Sequence, residues 1–176
     1  MLKAIKVSGI IIAILVLLPF LVGCSSSKNN NTPNLTEIPT AMPTVTPSTL
    51  SVEEAGAAFL DSLNTINSAF KNFQSKAVEW TSDTTSAQAV ADAEPFRLAL
   101  DKWETELTTT NWPAVAQADI RTLTKDIGQL VATLQIMETV NVFNVNSWMN
   151  SFASAYNAVK VDCGWVRHDL GLPPAQ

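Results

Sequence analysis

Residues 116–137 read AQADIRTLTKDIGQLVATLQIM, with Ala116, Ile120, Leu123, Ile127, Leu130, Leu134 and Met137 spaced alternately by four and three. A period of 3.5 gathers these residues on one stripe of a helix, the pattern of helices packed lengthwise on one another. The same spacing recurs in Phe59, Leu63, Ile66, Phe70, Phe73, Ala77 and Trp80, and again in Met149, Phe152, Tyr156, Val159, Cys163, Val166 and Leu170. Ala89, Ala93, Phe96, Leu100, Trp103 and Leu107 carry it across Pro95. No stretch shows the period-two alternation of a strand. The expectation is an all-α domain over 51–176, with helices at about 52–80, 84–108, 113–140 and 145–170. Helices of this length joined by short links pack most simply as an antiparallel up-down-up-down four-helix bundle.

Local signals mark the helix ends. Ser51 followed by Glu54 reads as a capping box. Asn111 with Pro113 suits the start of the third helix, where a missing N–H costs little. Asn144 is placed to cap the fourth, with Phe143 and Trp148 as a hydrophobic staple. Gly171 before Leu172 and Pro173 reads as a left-handed stop, and Arg167 and His168 complement the negative end of the helix dipole. Pro95 predicts either a helix kinked near Ala91 or two shorter pieces, and the kink is the favoured reading.

The residues before this domain have a different character. Lys3 and Lys6 precede the apolar run Ile10-Ile11-Ile12-Ala13-Ile14-Leu15-Val16-Leu17-Leu18, which is the layout of a secretion signal. The run passes Pro19 and ends at Leu21-Val22-Gly23-Cys24. Residues 25–50 are then Ser, Asn, Thr and Pro with almost no charge, including Pro33, Pro39, Pro43 and Pro47. Such a stretch cannot bury enough apolar surface to offset its ordering entropy, so it reads as a disordered tether. Thr36, Thr40, Thr44, Thr46 and Thr49 beside prolines also resemble O-glycosylated envelope tethers; plain disorder is the simpler reading.

Leu21-Val22-Gly23-Cys24 resembles the lipobox of bacterial lipoprotein precursors. That resemblance implies cleavage after Gly23, a diacylglyceryl thioether on Cys24 and further acylation, by palmitate or a similar chain, of the new amino group. Two or three acyl chains, at about 0.8 kcal/mol per buried methylene, anchor a protein stably without a transmembrane helix. The competing reading is an uncleaved anchor helix, since residues 7–23 reach the shortest spanning length, but it leaves Cys24 unexplained. The resemblance places the domain outside the cytoplasmic membrane, or on an outer membrane if the host has two. The ending Val166-Arg167-His168-Asp169-Leu170-Gly171-Leu172-Pro173-Pro174 resembles those of small helical lipoproteins of actinobacterial or Gram-positive type, and implies no activity.

Charge and composition narrow the function classes. The chain has a net charge of −5, and loss of Lys3 and Lys6 leaves nine basic against sixteen acidic residues, or −7. That sign disfavours nucleic acid and anionic head groups as partners. With Cys24 lipidated only Cys163 is left, so no intramolecular disulfide is expected.

No constellation predicts catalysis or a cofactor. The single histidine, His168, lies five residues from Cys163, about 140° around a helix, which serves zinc poorly. The two Glu-x-x-His pairs of di-iron bundles are missing. A haem axially held by His168 with Met137 or Met149 is disfavoured, because the methionines belong at the other end of the bundle. Cys163 lies on the inward stripe as a small buried residue. Glu94, Asp101 and Glu104 fall near one helical face, but Arg97 and Lys102, four residues before Asp101 and Glu106, make that face an ordinary solvated one.

Five tryptophans stand out in the domain. Trp80 and Trp148 are expected at the end far from the tether. Trp103, Trp112 and Trp165 are expected near it, where they could line an apolar cleft or a partner surface. The sequence therefore reads as a lipid-anchored, non-enzymatic binding or structural module of the cell envelope, with an envelope protein as its expected partner. The alternative is a carrier of a small apolar molecule held within the bundle.

Overall fold

A computed structural model describes residues 49–81, 83–141 and 144–174. These residues form an all-helical, bundle-like fold with four α-helices: α1 (Val52–Ala77), α2 (Ser86–Thr109), α3 (Gln117–Gln135) and α4 (Val145–Asp169). A 3₁₀ turn, Ile136–Thr139, follows α3 directly. Among the described residues no helix is long and apolar enough to cross a membrane. Cys24, Gly23 and nearly all of the tether lie outside the described residues, as does Phe143 of the expected staple.

The stripes read from the sequence are the core. Every stripe residue of α1, α3 and α4 named above is buried, and on α2 only Ala89 is partly open. Consecutive helices pack directly: α1 on α2, α2 on α3, and α3 most extensively on α4. The α1 and α4 backbones stay further apart, and aromatic rings fill the space between them. Phe70 stacks on Tyr156 at a centroid distance of 4.5 Å, and Phe73 meets Phe152 edge-on at 6.0 Å. Large rings thus contribute much of the buried apolar area that drives folding, about 25 cal/mol per Å².

Several ends differ from expectation for identifiable reasons. α1 stops at Ala77 rather than at Trp80. Its last residues turn so that Trp80 Nε1 can donate to Asp92 Oδ2 on α2 at 2.9 Å. α2 begins at Ser86 because Thr85 is its cap, the Thr85 Oγ1 accepting from the Gln88 N–H at 3.1 Å. Pro95 does not divide α2. Pro95 and Ala91 both face solvent, so water can satisfy the carbonyl that the missing N–H leaves open.

Pro113 is not the first residue of α3. Residues 113–116 make a turn, closed by the Ala116 N–H on the Pro113 carbonyl, and the helix starts only at Gln117. The chain must first carry Trp112 inward, where its Nε1 donates to the Leu107 carbonyl at 2.8 Å. Asn144 occupies the cap position of α4 without capping it through its side chain. Its Oδ1 accepts from the Asn141 N–H at 2.7 Å and its Nδ2 donates to the Thr139 carbonyl at 3.2 Å, so the amide braces the turn before α4.

Two expected ends are realised in full. At Ser51 the hydroxyl accepts from the Glu54 N–H while the Glu54 carboxylate accepts from the Ser51 N–H, and these bonds hold the Glu54 carboxyl below its ordinary range. At the other terminus Gly171 has φ +65°, its N–H bonds to the His168 carbonyl and the Leu172 N–H to that of Arg167. This is a Schellman stop. Arg167, though charged, is buried: its Nε and Nη2 both donate to the Pro173 carbonyl, folding the tail back over the end of α4.

Candidate functional site

The three tryptophans expected near the tether do not form one surface. Trp103 is almost fully buried and donates to Ser62 Oγ at 3.0 Å; Trp112 is buried too. Both rings pack on Phe59, at 6.3 Å each. With their N–H groups satisfied inside, these two residues are core. Only Trp165 is open, at 56% exposure, with its ring against that of His168 and exposed Val161 one turn earlier. Isolated apolar residues of this kind are ordinary on protein surfaces.

The carboxylates of α2 are tied to a cation. Arg97 donates to Glu94 through Nε and Nη2, at 2.7 and 2.6 Å, and to Asp101 through Nη1 at 2.5 Å. The hydrogen bonds from Arg97 hold the Glu94 carboxyl low, the opposite of what a general acid needs. Lys102 reaches Glu106 at 3.5 Å on a solvated face. Glu104 Oε1 lies over Gly128 of α3, on another side of the helix. Cys163 is fully buried, and burial pushes its thiol far above the ordinary value. His168 is exposed at the end of α4. Met137 and Met149 are buried, and Met137 sits beside Trp80 and Trp148.

Two features were not anticipated from the sequence. The first is a row of acids where α3 meets α4. Asp119 and Asp126 are seven apart on α3, Asp162 and Asp169 seven apart on α4, and all four are half-buried. Asp162 Oδ2 is buried without a hydrogen-bond partner. Its carboxyl is pushed up to about 6, first by burial and then by the facing charges of Asp126 and Asp119. Burial and Asp169 likewise raise Asp119, while His168 opposes the shift. The heptad spacing of the two pairs is visible in the sequence; their juxtaposition depends on how the helices are paired. Among the described residues no group of three or more His, Cys, Asp or Glu could hold a metal ion.

The second feature is an apolar cleft where α1 and α3 finish and α2 and α4 begin. Trp80 and Trp148 stand on its walls with Met137, Val140, Val145 and Ala89. Both indole N–H groups are already committed, Trp80 to Asp92 at 2.9 Å and Trp148 to the Thr133 carbonyl at 2.8 Å. Gln88 Nε2 also binds Asp92, at 2.9 Å, so that carboxylate is occupied. Thr81, Thr84, Thr85 and Ser86 complete the lining, and among the described residues it holds no charged group.

No protein-family model, no curated protein and no solved structure matches this chain. Any functional reading must come from its own residues.

Proposed function

We propose that the chain is a lipid-anchored extracytoplasmic protein whose helical domain serves the cell envelope as a non-enzymatic binding or structural module. The observation that carries this reading is Leu21-Val22-Gly23-Cys24, set directly after a basic-then-apolar segment and directly before a polar tether. Acylation of Cys24 supplies the anchor.

The start of the domain supports the tether. The capping box at Ser51 begins the helices there, leaving 26 residues between Cys24 and the domain. An extended, Pro-rich chain of that length reaches at most roughly 80 Å, and a random coil averages about 28 Å.

An up-down-up-down order for the helices is part of the proposal. Leu50 N–H bonds the Asn111 carbonyl at 3.0 Å, and Leu172 packs close over Gly56, which brings the start of α1 beside the ends of α2 and α4. The cleft between Trp80 and Trp148 gathers the opposite ends of the helices. In this arrangement the cleft is the part of the domain furthest from the anchor.

Expression of the chain and its Cys24→Ala variant with labelled palmitate tests the reading. Incorporation of label, membrane retention and a mature amino terminus at Cys24 are expected for the parent and lost in the variant. A parent chain of unprocessed mass that carries no label would overturn the proposal.

A further inference from the structure

We infer that the contact between α3 and α4 is a pH-operated latch. A proton shared within each of two facing aspartate pairs, Asp126 with Asp162 and Asp119 with Asp169, holds the start of α3 against the end of α4; its loss lets them part. The two pairs follow one register. Seven residues along α3, from Asp119 to Asp126, the facing aspartate moves seven residues back on α4, from Asp169 to Asp162. Both pairs bridge the most extensive helix contact of the fold, about 10 Å apart along the helix axis.

A carboxylate only accepts hydrogen bonds, so two of them side by side bond to each other only with a proton between them. Asp162 supplies the observation that calls for one. Its Oδ2 is shut off from water and has no hydrogen-bond partner, and a buried acceptor left in that state is costly. A proton drawn from solvent turns the Asp162 carboxyl into a donor toward Asp126. Among the described residues these carboxyls form no group that could hold a metal ion.

The surrounding groups do not replace the proton. The charges acting on Asp162 are those of Asp126 and Asp119, both on α3 and both negative, while Arg121 and Lys125 of that helix are exposed. α1, on another side of α4, meets it through rings, Phe70 on Tyr156 and Phe73 on Phe152. On α4 itself Cys163 is held in its neutral form by burial, and the Arg167 guanidinium donates to the Pro173 carbonyl. At the other pair Asp169 acts on Asp119, and His168, 3.4 Å from Asp169, opposes it. Burial and the facing charges push the Asp162 carboxyl up to about 6. The closed contact therefore keeps its proton below that value and gives it up above. Leu123 of α3 and Cys163 and Val166 of α4 are fully buried, so parting of the helices bares apolar core on the alkaline side. The inference does not rest on acylation of Cys24.

Native-state hydrogen exchange of the full chain in lipid nanodiscs, near pH 5 and near pH 7.5 and corrected for the intrinsic pH dependence of exchange, tests the latch. Amides at the start of α3 and the end of α4 should lose protection roughly tenfold at the higher pH, the size of one pKa unit after solvent screening. There they should exchange through an opening that low urea hardly changes, while amides around Phe70 of α1 keep the steep urea dependence of whole-domain unfolding. Asp162→Asn, whose amide donates to Asp126 without a proton from solvent, should keep both ends equally protected at the two pH values. Asp119→Asn should reduce the loss, and an unreduced loss removes the second pair from the latch. His168→Gln should leave the loss in place. Equal protection of the parent at both pH values, a loss that persists in Asp162→Asn, or ends of α3 and α4 that exchange only with the urea dependence of α1 overturns the latch. A loss that vanishes in His168→Gln also overturns it, by assigning the response to the histidine. The Cys24→Ala chain should behave as the parent does, so a failure here is distinct from a failure of the anchor.

Discussion

Trp103 Nε1 on α2 donates to Ser62 Oγ on α1 at 3.0 Å, and that hydroxyl in turn donates to the Phe59 carbonyl at 2.8 Å. The largest fully buried side chain of the core thus has its one polar atom satisfied by a neighbouring helix. Ser62→Ala removes the acceptor and strands a buried N–H, a loss of about 1–3 kcal/mol. Thermal unfolding should show Tm falling by roughly 4 °C or more. An unchanged Tm would mean that the indole finds another acceptor at no cost.

The facing acids on α3 and α4 predict an unusual pH response. The folded pKa of Asp162, about 6, lies above the 3.8 of the free side chain, so the folded state binds the extra proton between those values. Stability from this group is full below about pH 4 and is lost as pH rises through 6. Asp162→Asn removes the burial penalty and the repulsion from Asp126. It should raise stability near pH 7.5 by about 1 kcal/mol, a value held down by solvent screening at a half-exposed site, and change little at pH 4. Urea titrations at both pH values measure this. An equal effect at both would remove the electrostatic cause.

Two glycines should respond differently to alanine. Gly171 has φ +65° with open space around its Cα, so Gly171→Ala meets only the left-handed backbone penalty, about 1–2 kcal/mol. Gly56 is helical, and an added methyl would lie 3.1 Å from Leu172 Cδ2, the end of a flexible side chain that can yield. The gain in helix propensity, about 1 kcal/mol, offsets that crowding, so Gly56→Ala should be near neutral. Denaturant midpoints at constant m-value separate the two. A neutral Gly171→Ala would contradict the stop described for α4.

Thiol titration reads both cysteines. Cys163 is fully buried with its thiol pushed upward, so Ellman's reagent should leave it untouched in the folded protein and react once it is unfolded. One thiol per unfolded mature chain is expected if Cys24 is acylated. Two would contradict the anchor, and rapid reaction of the folded chain would contradict the packing of α4.

The residues by themselves determined most of the helical architecture, because helix periodicity and end chemistry are local. Alternate spacings of three and four place Phe59, Leu123 and Val159 inward whatever their partners are, and Ser51 with Glu54, or Gly171 with Leu172, close within a single turn. Pairing of helices is not local. Only the tertiary structure decided that Trp112 would be drawn into the core with Trp103 and away from Trp165, shortening the start of α3. Only it set Asp162 opposite Asp126, and only it placed a cleft among the described residues between Trp80 and Trp148, whose common position at the far end was legible in the helix order. Each of these depends on which helix faces which and at what height, a choice made by the combined fit of large side chains rather than by any one segment.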